Sequence, residues 1–211
     1  MSIPLLGYIY FGASFVPVVV GLYRYRTIPG PMKILTLLCI LSLVIAAIEF
    51  ILGRLKIPNQ FLANYYVPVE LLLIALIYFL SMKTAKERKL IGGGVALFML
   101  VWMMDKIFIE IPDQMNSNMA AMSRLFLIAL SILMISVISR DEASKLSDKS
   151  IFWVAVGVIV YSTGTFIVAG VGSRLLKIDV SLFVIAWHIN WVLLIVANLL
   201  YTKGLLCESR T

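Results

Sequence analysis

The sequence predicts an all-α fold: a polytopic membrane protein with a bundle of seven transmembrane helices, its N-terminus outside the cell and its C-terminus in the cytoplasm. Three observations support this prediction, namely the composition, the number of apolar runs and the distribution of Lys and Arg. Of 211 residues, 62% are hydrophobic and only 14% are charged, and the mean hydropathy is +1.01. Such values lie outside the range of soluble domains and indicate a chain that folds in a bilayer.

Seven apolar runs are each long enough to cross a bilayer. A spanning helix needs about 20 apolar residues, because a rise of ~1.5 Å per residue has to cover about 30 Å of hydrocarbon. The runs do not alternate between apolar and polar residues as barrel strands do, so helices are expected. Together they make residues 1–211 a single transmembrane domain. The predicted spans are residues 4–23, 33–53, 62–82, 90–109, 118–139, 151–172 and 180–202.

Lys and Arg are distributed unevenly between the linkers that separate these runs. Twelve of the 18 basic residues follow the first, third, fifth and seventh spans, and only four lie in the other linkers. Because short cytoplasmic loops carry an excess of Lys and Arg, the first group is predicted to be cytoplasmic. An odd number of spans then puts the N-terminus outside. We therefore expect a multi-pass protein of a bacterial inner membrane, whose net charge of +7 reflects topology and not a nucleic-acid partner.

The start of the chain and its two cysteines give two further expectations. No basic residue precedes the first apolar run, as it would in a secretory signal, so we expect the first helix to be retained. Cys39 lies inside an apolar run and Cys207 in the predicted cytoplasmic tail. Because they are expected in different environments, no disulfide framework is predicted.

Several ionisable residues lie inside the predicted spans. Each costs about 2.5–3.5 kcal/mol on insertion scales, so such residues tend to pair or to face a polar cavity. With the predicted topology, all of them lie toward the outer face; Glu70, for example, is about 8 residues, or ~12 Å, below it. This asymmetry predicts a polar pocket open to the outside. The residues are Glu49, Glu70, Asp105, Lys106, Arg124 and His188, with Glu110 near the end of the fourth span.

The predicted ligand-binding residues combine these charges with nearby tryptophans. Glu70 and His188 would be the main polar contacts, and three tryptophans would form the walls. Purely structural roles remain open: Arg124 could pair with Asp105 or Glu110, and a lone histidine in a helix often only packs. The full predicted set is Glu70, His188, Trp187, Trp191, Trp102, Asp105, Arg124 and Glu49.

The sequence argues against several kinds of membrane chemistry. The seventh span lacks the mid-helix lysine that a retinal Schiff base would need. A single histidine excludes a haem held by two histidines and makes a poor zinc site. No nucleophile motif is present, since Ser162, Thr163 and Thr165 are better explained as interhelical hydrogen-bonding groups. No metal site, cofactor or catalytic residue is therefore predicted.

The last two spans carry a pattern of aromatic, small and His/Asn residues. It consists of Ile151 to Trp153, Tyr161 to Phe166, Ala186 to Asn190 and Ala197 to Tyr201. Residues 151–211 thereby resemble the seven-helix membrane modules of Bacteroidota, found alone or fused to sensor histidine kinases. The resemblance implies a sensor-like bundle with its N-terminus outside. Because only a short tail follows the seventh span here, signalling would need a separate cytoplasmic partner.

Three functions are compatible with these observations. The favoured one is an integral membrane sensor or receptor-like protein that binds a small or lipid-derived ligand in an outward-facing polar pocket. The second is a proton-coupled or small-solute transporter that uses the same carboxylates. The third is an integral membrane enzyme acting on a lipid, with Glu70, Asp105 and His188 as acid and base groups. Expected partners are membrane lipids, a small molecule on the outer side and a cytoplasmic signalling protein.

Overall fold

The computed structural model describes residues 5–57, 59–108, 117–140, 145–178 and 180–207. Its regular structure in these ranges is helical throughout, apart from turns and one short 3₁₀ segment, Leu146–Asp148. Seven of the helices are long and apolar enough to cross a membrane, which confirms the predicted number of spans. They are α1 Leu5–Tyr23, α2 Gly30–Arg54, α3 Gln60–Ser81, α4 Ala85–Phe108, α5 Ser117–Ser139, α6 Ser150–Ile178 and α7 Val180–Leu206.

Helices α4 and α6 extend furthest beyond the predicted spans. Helix α4 begins at Ala85, five residues before the predicted start at residue 90, because Thr84 and Glu87 form a reciprocal cap. The Thr84 backbone N–H donates to Glu87 Oε2 at 3.2 Å, and the Glu87 N–H donates to Thr84 Oγ at 3.3 Å. Helix α6 continues to Ile178, whereas the apolar run ends near residue 172. Hydropathy marks only the part of each helix that lipid requires to be apolar.

Six of the helices form a closed ring in the order α1, α2, α3, α5, α6, α7, each packed against the next, and α7 packs back against α1. Helix α4 lies outside the ring against α3 and α5. Side-chain contacts fix the helix directions. Asn198 Nδ2 donates to Ser14 Oγ at 3.4 Å, and Arg24 donates to the Leu205 carbonyl at 2.9 Å, so α1 and α7 run parallel.

One end of the bundle, which we call the basic end, carries the linkers after α1, α3 and α5 and the chain near Cys207. Basic side chains there bind the free carbonyl groups at helix C-termini, which satisfies acceptors and complements the helix dipole. Arg24 Nη1 donates to the Leu205 and Leu206 carbonyls at 2.9 and 2.6 Å, and Lys149 Nζ donates to the Ile138 carbonyl at 2.9 Å. The opposite end, which holds the start of α1, is called the N-terminal end.

Glycines bring α6 and α7 into close contact. A Cβ atom at Gly157 would lie 2.6 Å from Tyr201 Cε1, and one at Gly164 would lie 2.5 Å from Leu193 Cδ1. Both separations are shorter than van der Waals contact, so the helices can approach this closely only because the side chains are missing. Small residues play this role in membrane bundles, where no hydrophobic effect drives the helices together.

We expect Gly157→Val to destabilise the protein, because its side chain would overlap the Tyr201 ring. Overpacking of this kind costs about 1–3 kcal/mol, or roughly 2–12 °C of melting temperature for a chain of this length. Gly93→Val in α4 is the matched control, since a Cβ there meets no atom within 4 Å. Thermal unfolding in detergent measures both; equal melting temperatures for the two variants would refute the close α6–α7 contact.

Candidate functional site

A buried ion pair joins α3 to α5 in the interior of the helix ring. Arg124 Nη1 lies 2.6 Å from Glu70 Oε2, and the two side chains are only 5% and 6% exposed. The partner of Arg124 is thus a carboxylate on α3, a pairing that sequence reasoning did not consider. The expected pairing with Glu110 concerns a residue outside the described ranges.

Tyr161 on α6 completes the ion pair from a third helix. Its hydroxyl donates to the same Glu70 Oε2 at 3.2 Å. Its ring centroid lies 4.6 Å from Arg124 Cζ, a cation–π contact that stabilises the guanidinium where water is excluded. Glu70, Arg124 and Tyr161 are called the central cluster below. One carboxylate oxygen therefore accepts hydrogen bonds from two helices, so that the three helices share one polar contact.

Two further hydroxyl groups lie close to the central cluster along the chain. Tyr66, one turn before Glu70 in α3, hydrogen-bonds Ser42 of α2. This contact connects α2 to α3 one turn from the ion pair. Both groups are neutral, so they add no charge that would itself need a partner.

Glu70 lies near the middle of helix α3. Ten residues of α3 precede Glu70 and eleven follow it. The predicted span starts at residue 62, about 8 residues before Glu70, and the helix begins slightly earlier, at Gln60. A charge without a partner is costly inside an apolar span, and the ion pair gives Glu70 its partner.

A small cleft lies one helical turn from the ion pair, toward the N-terminal end. Val67 on α3 precedes Glu70 by three residues, and Ala120 on α5 precedes Arg124 by four, so each lies on the same helix face as its charged neighbour. The cleft has room for about one water molecule. It is lined by Asn64, Val67, Trp102, Lys106, Met119 and Ala120.

The cleft contains one of the predicted tryptophans and a positive charge. Lys106 Nζ lies 5.6 Å from the Trp102 ring centroid and 5.3 Å from that of Tyr65. Asp105, the preceding residue of α4, is buried, with 9% of its surface exposed. Three of the predicted site residues, Glu70, Arg124 and Trp102, thus lie at the central cluster or at the cleft beside it.

The structure places His188 and its two flanking tryptophans apart from this cluster. His188 Nδ1 lies 2.6 Å from the Val184 carbonyl of its own helix, and its ring packs edge-on against Trp191. Trp187 is 36% exposed and packs against Phe183 and Trp191. Within the described part of the chain, no contact joins His188 to Glu70. The structure therefore does not bring these three residues of α7 together with the ion pair.

Glu49 lies at the N-terminal end, near the end of α2. It is half-buried, and its backbone carbonyl accepts a hydrogen bond from Asn59 Nδ2 at 3.0 Å. Among the described residues, no hydrogen bond or ion pair joins Glu49 to the central cluster.

Sequence reasoning missed Tyr161 as a member of the site. Tyr161 and Ser162 were recognised only as part of a pattern or as interhelical hydrogen-bonding groups, although Tyr161 contacts both charges of the pair. Ser162 Oγ and Arg124 Nε are buried and have no hydrogen-bond partner in the described structure. A search for tyrosines at the depth of the charged residues would have found Tyr161.

Comparison with known proteins gives no family for this chain. No family model, curated protein or solved structure matches it. The resemblance to the Bacteroidota modules stays a prediction. Among the described residues, no group of three or more His, Cys, Asp or Glu side chains could hold a metal ion. Function is therefore argued from the central cluster and its cleft.

We expect Tyr161→Phe to lower the free energy of unfolding by about 1.5–3 kcal/mol, because it removes one hydrogen bond to the charged Glu70 carboxylate. Tyr161→Leu should cost more, since it also removes the ring from Arg124. Tyr65→Phe is the control, because Tyr65 is 61% exposed and its hydroxyl makes no hydrogen bond in the described structure. Unfolding in detergent measures all three; a Tyr161→Phe variant as stable as Tyr65→Phe would contradict the role given to the hydroxyl.

Proposed function

We propose that this protein is a receptor-like membrane sensor, in which a small or lipid-derived ligand binds at the cleft and acts on the central cluster. The observation that carries the proposal is the ion pair between Glu70 and Arg124, sealed inside the ring and shared with Tyr161. A ligand in the cleft would lie one helical turn from this pair. It could therefore change the spacing of α3 and α5 close to the ion pair.

The ion pair has the properties of a two-state contact. Two charges inside a bundle are stable only in a geometry that offsets their desolvation, so a small displacement removes much of the attraction. A ligand that favours the displaced arrangement would shift the population toward it. Packed helices respond to such changes by moving between discrete arrangements. The intact ion pair thus defines the closed state of the sensor. A ligand that favours separation of the two charges would lower the population of this state.

A second contact extends the α3–α5 interface toward the basic end. The Tyr78 hydroxyl lies 2.7 Å from Ser131 Oγ, about two turns below the ion pair on the same two helices. At the end of α3, Arg88 Nε donates to the Met82 carbonyl at 3.1 Å. A movement of α3 against α5 would be transmitted along these contacts to the basic linkers. There, a separate signalling partner could detect it.

Cys39 provides a native reporter for the displaced state, because it is buried in the core of the bundle. In a Cys207→Ser background, we expect N-ethylmaleimide to alkylate Cys39 slowly, and Glu70→Gln to raise the rate. Each loss of about 1.4 kcal/mol from the closed state relative to the open state raises the open population, and hence the rate, about tenfold. A ligand can first be identified by the shift that it causes in the melting temperature. It should then change the rate of Cys39 alkylation in the native protein and not in Glu70→Gln.

The control for this experiment is Gly157→Val, which weakens the α6–α7 contact without touching the ion pair. When denaturant is used to bring both proteins to the same free energy of unfolding, only Glu70→Gln should show fast alkylation. Equal rates in the two variants would mean that Cys39 reports global unfolding. That result, or an unchanged rate in Glu70→Gln, would contradict the proposed switch.

The transporter remains a second candidate, because hydroxyl groups continue from the ion pair toward the basic end. Tyr78, Ser131 and Tyr201 provide them. Proton-gradient-dependent flux in proteoliposomes, lost in Glu70→Gln, would favour this function over the sensor. The lipid-modifying enzyme has less support, since no described contact of His188 reaches Glu70 or Asp105. Turnover of a lipid panel, lost in Asp105→Asn, would be its test.

The proposed orientation places the basic end in the cytoplasm, because it gathers the linkers that carry most of the Lys and Arg residues. Leu55→Cys and Lys145→Cys test it, since both positions are exposed at opposite ends of the bundle. In a Cys207→Ser background and intact spheroplasts, a membrane-impermeant maleimide should label Leu55→Cys at once. Lys145→Cys should react only after lysis; the reverse pattern would overturn the orientation.

A further inference from the structure

Helix α4 turns one whole side away from the bundle. It lies outside the ring and packs against α3 and α5. Its inward side carries Ile91, Phe98 and Asp105, which are all buried. The residues on the opposite side are exposed and recur every three or four positions, which places them in one line along the helix. This line, called the α4 face below, consists of Lys86, Lys89, Gly93, Ala96 and Leu100.

Two lysines form the part of the α4 face that lies at the basic end. Lys86 and Lys89 are exposed and one helical turn apart. Within the described ranges, neither forms a hydrogen bond or an ion pair. Of the two acidic residues of α4, Glu87 caps the helix through Thr84, and Asp105 lies 16 residues, or ~24 Å, beyond Lys89. The helix therefore supplies no acidic partner for the two lysines on this face.

The remainder of the α4 face is apolar and has little relief. A Cβ atom at Gly93 would meet no atom within 4 Å, and Ala96 adds only a methyl group. Leu100 is 59% exposed. The 11 residues from Lys89 to Leu100 span ~16 Å, which is close to half of the ~30 Å hydrocarbon thickness of a bilayer. The α4 face therefore matches a molecule with a negative head group and apolar chains as long as one leaflet.

A second copy of the chain matches the α4 face less well than such a molecule does. Two copies in one membrane share an orientation, so a closed dimer has its two-fold axis along the membrane normal. The two α4 helices would then pack in parallel, with Lys86 and Lys89 of each copy beside the same residues of the other. Like charges at this separation repel each other. The charge of the α4 face therefore favours a negatively charged occupant.

We propose that the α4 face binds an anionic phospholipid of the surrounding membrane. Its phosphate oxygens accept hydrogen bonds from the ammonium groups of Lys86 and Lys89, and one acyl chain lies along Gly93 and Ala96 toward Leu100. Basic residues next to a transmembrane helix attract anionic lipids by about 1 kcal/mol each, or about fivefold in affinity. The inference goes beyond the proposed sensor function, because it uses no residue of the central cluster or of the cleft.

Native mass spectrometry of the purified full-length protein tests the class of lipid, because it counts bound lipids and shows the oligomeric state in one spectrum. We expect dioleoylphosphatidylglycerol to bind about tenfold more tightly than dioleoylphosphatidylcholine, since the chains are identical and choline cancels the charge of the phosphate. Glycerol 3-phosphate should not displace the bound lipid, because it lacks acyl chains. Equal affinities for the two lipids, or displacement by glycerol 3-phosphate, would overturn the proposal.

Two double variants of equal charge test the location of the head group. Lys86→Gln with Lys89→Gln should lower the affinity for dioleoylphosphatidylglycerol about tenfold, to that for dioleoylphosphatidylcholine. Arg26→Gln with Lys145→Gln is the matched control, because it removes two charges from exposed positions in other linkers of the basic end. This control should leave the affinity unchanged. Equal losses in the two double variants would show a general attraction to the basic end and would refute the site.

Two glycine variants test the location of the acyl chain. Gly93→Val places a branched side chain on the path of the chain and should weaken binding of dioleoylphosphatidylglycerol. Gly12→Val in α1 should not, although a Cβ atom there also meets no atom within 4 Å. Equal binding in the two variants would overturn the proposed position of the lipid. A dimer that Gly93→Val dissociates and the lysine variant leaves intact would overturn the proposal in favour of a second copy of the chain.

Discussion

A carboxylate and a guanidinium that face each other inside a membrane bundle must stay together, because no water is present to solvate either charge if they separate. Glu70 and Arg124 are in this position, at the middle of α3 and on the neighbouring face of α5. Their contact sets the spacing of the two helices, and Tyr161 brings α6 to the same point. A hydrogen bond between Tyr66 and Ser42 connects α2 to α3 one turn away from it.

The functional argument depends on how this contact relates to its surroundings. The cleft lies one turn away on the same helix faces, and the Tyr78–Ser131 contact lies two turns away in the opposite direction. A single interface between α3 and α5 therefore connects a place where a ligand could enter with the end that carries the basic linkers. By contrast, the α6–α7 interface is held by glycines that allow close approach, which makes it a rigid support and a suitable control.

The sequence predicts the number of helices well, because lipid requires long apolar runs and the chain supplies seven. It also identifies Glu70 and Arg124 as costly residues. It does not identify them as partners, since they are 54 positions apart and belong to helices that meet only in the ring. Tyr161 was missed because a neutral aromatic residue carries no insertion cost large enough to mark it. His188 is marked by its unusual residue type, and its described contacts lie within α7, so its predicted binding role stays a prediction.

The most direct test of this account is a double-mutant cycle on Glu70→Gln and Arg124→Gln, with the free energy of unfolding measured in detergent. Each single variant should be strongly destabilised, by about 3–5 kcal/mol, because it leaves one buried charge without its partner. The double variant should be more stable than the sum of the two losses implies, by more than about 1 kcal/mol. Losses that add within about 0.5 kcal/mol would show that the two residues act independently, and would contradict the central role of the ion pair.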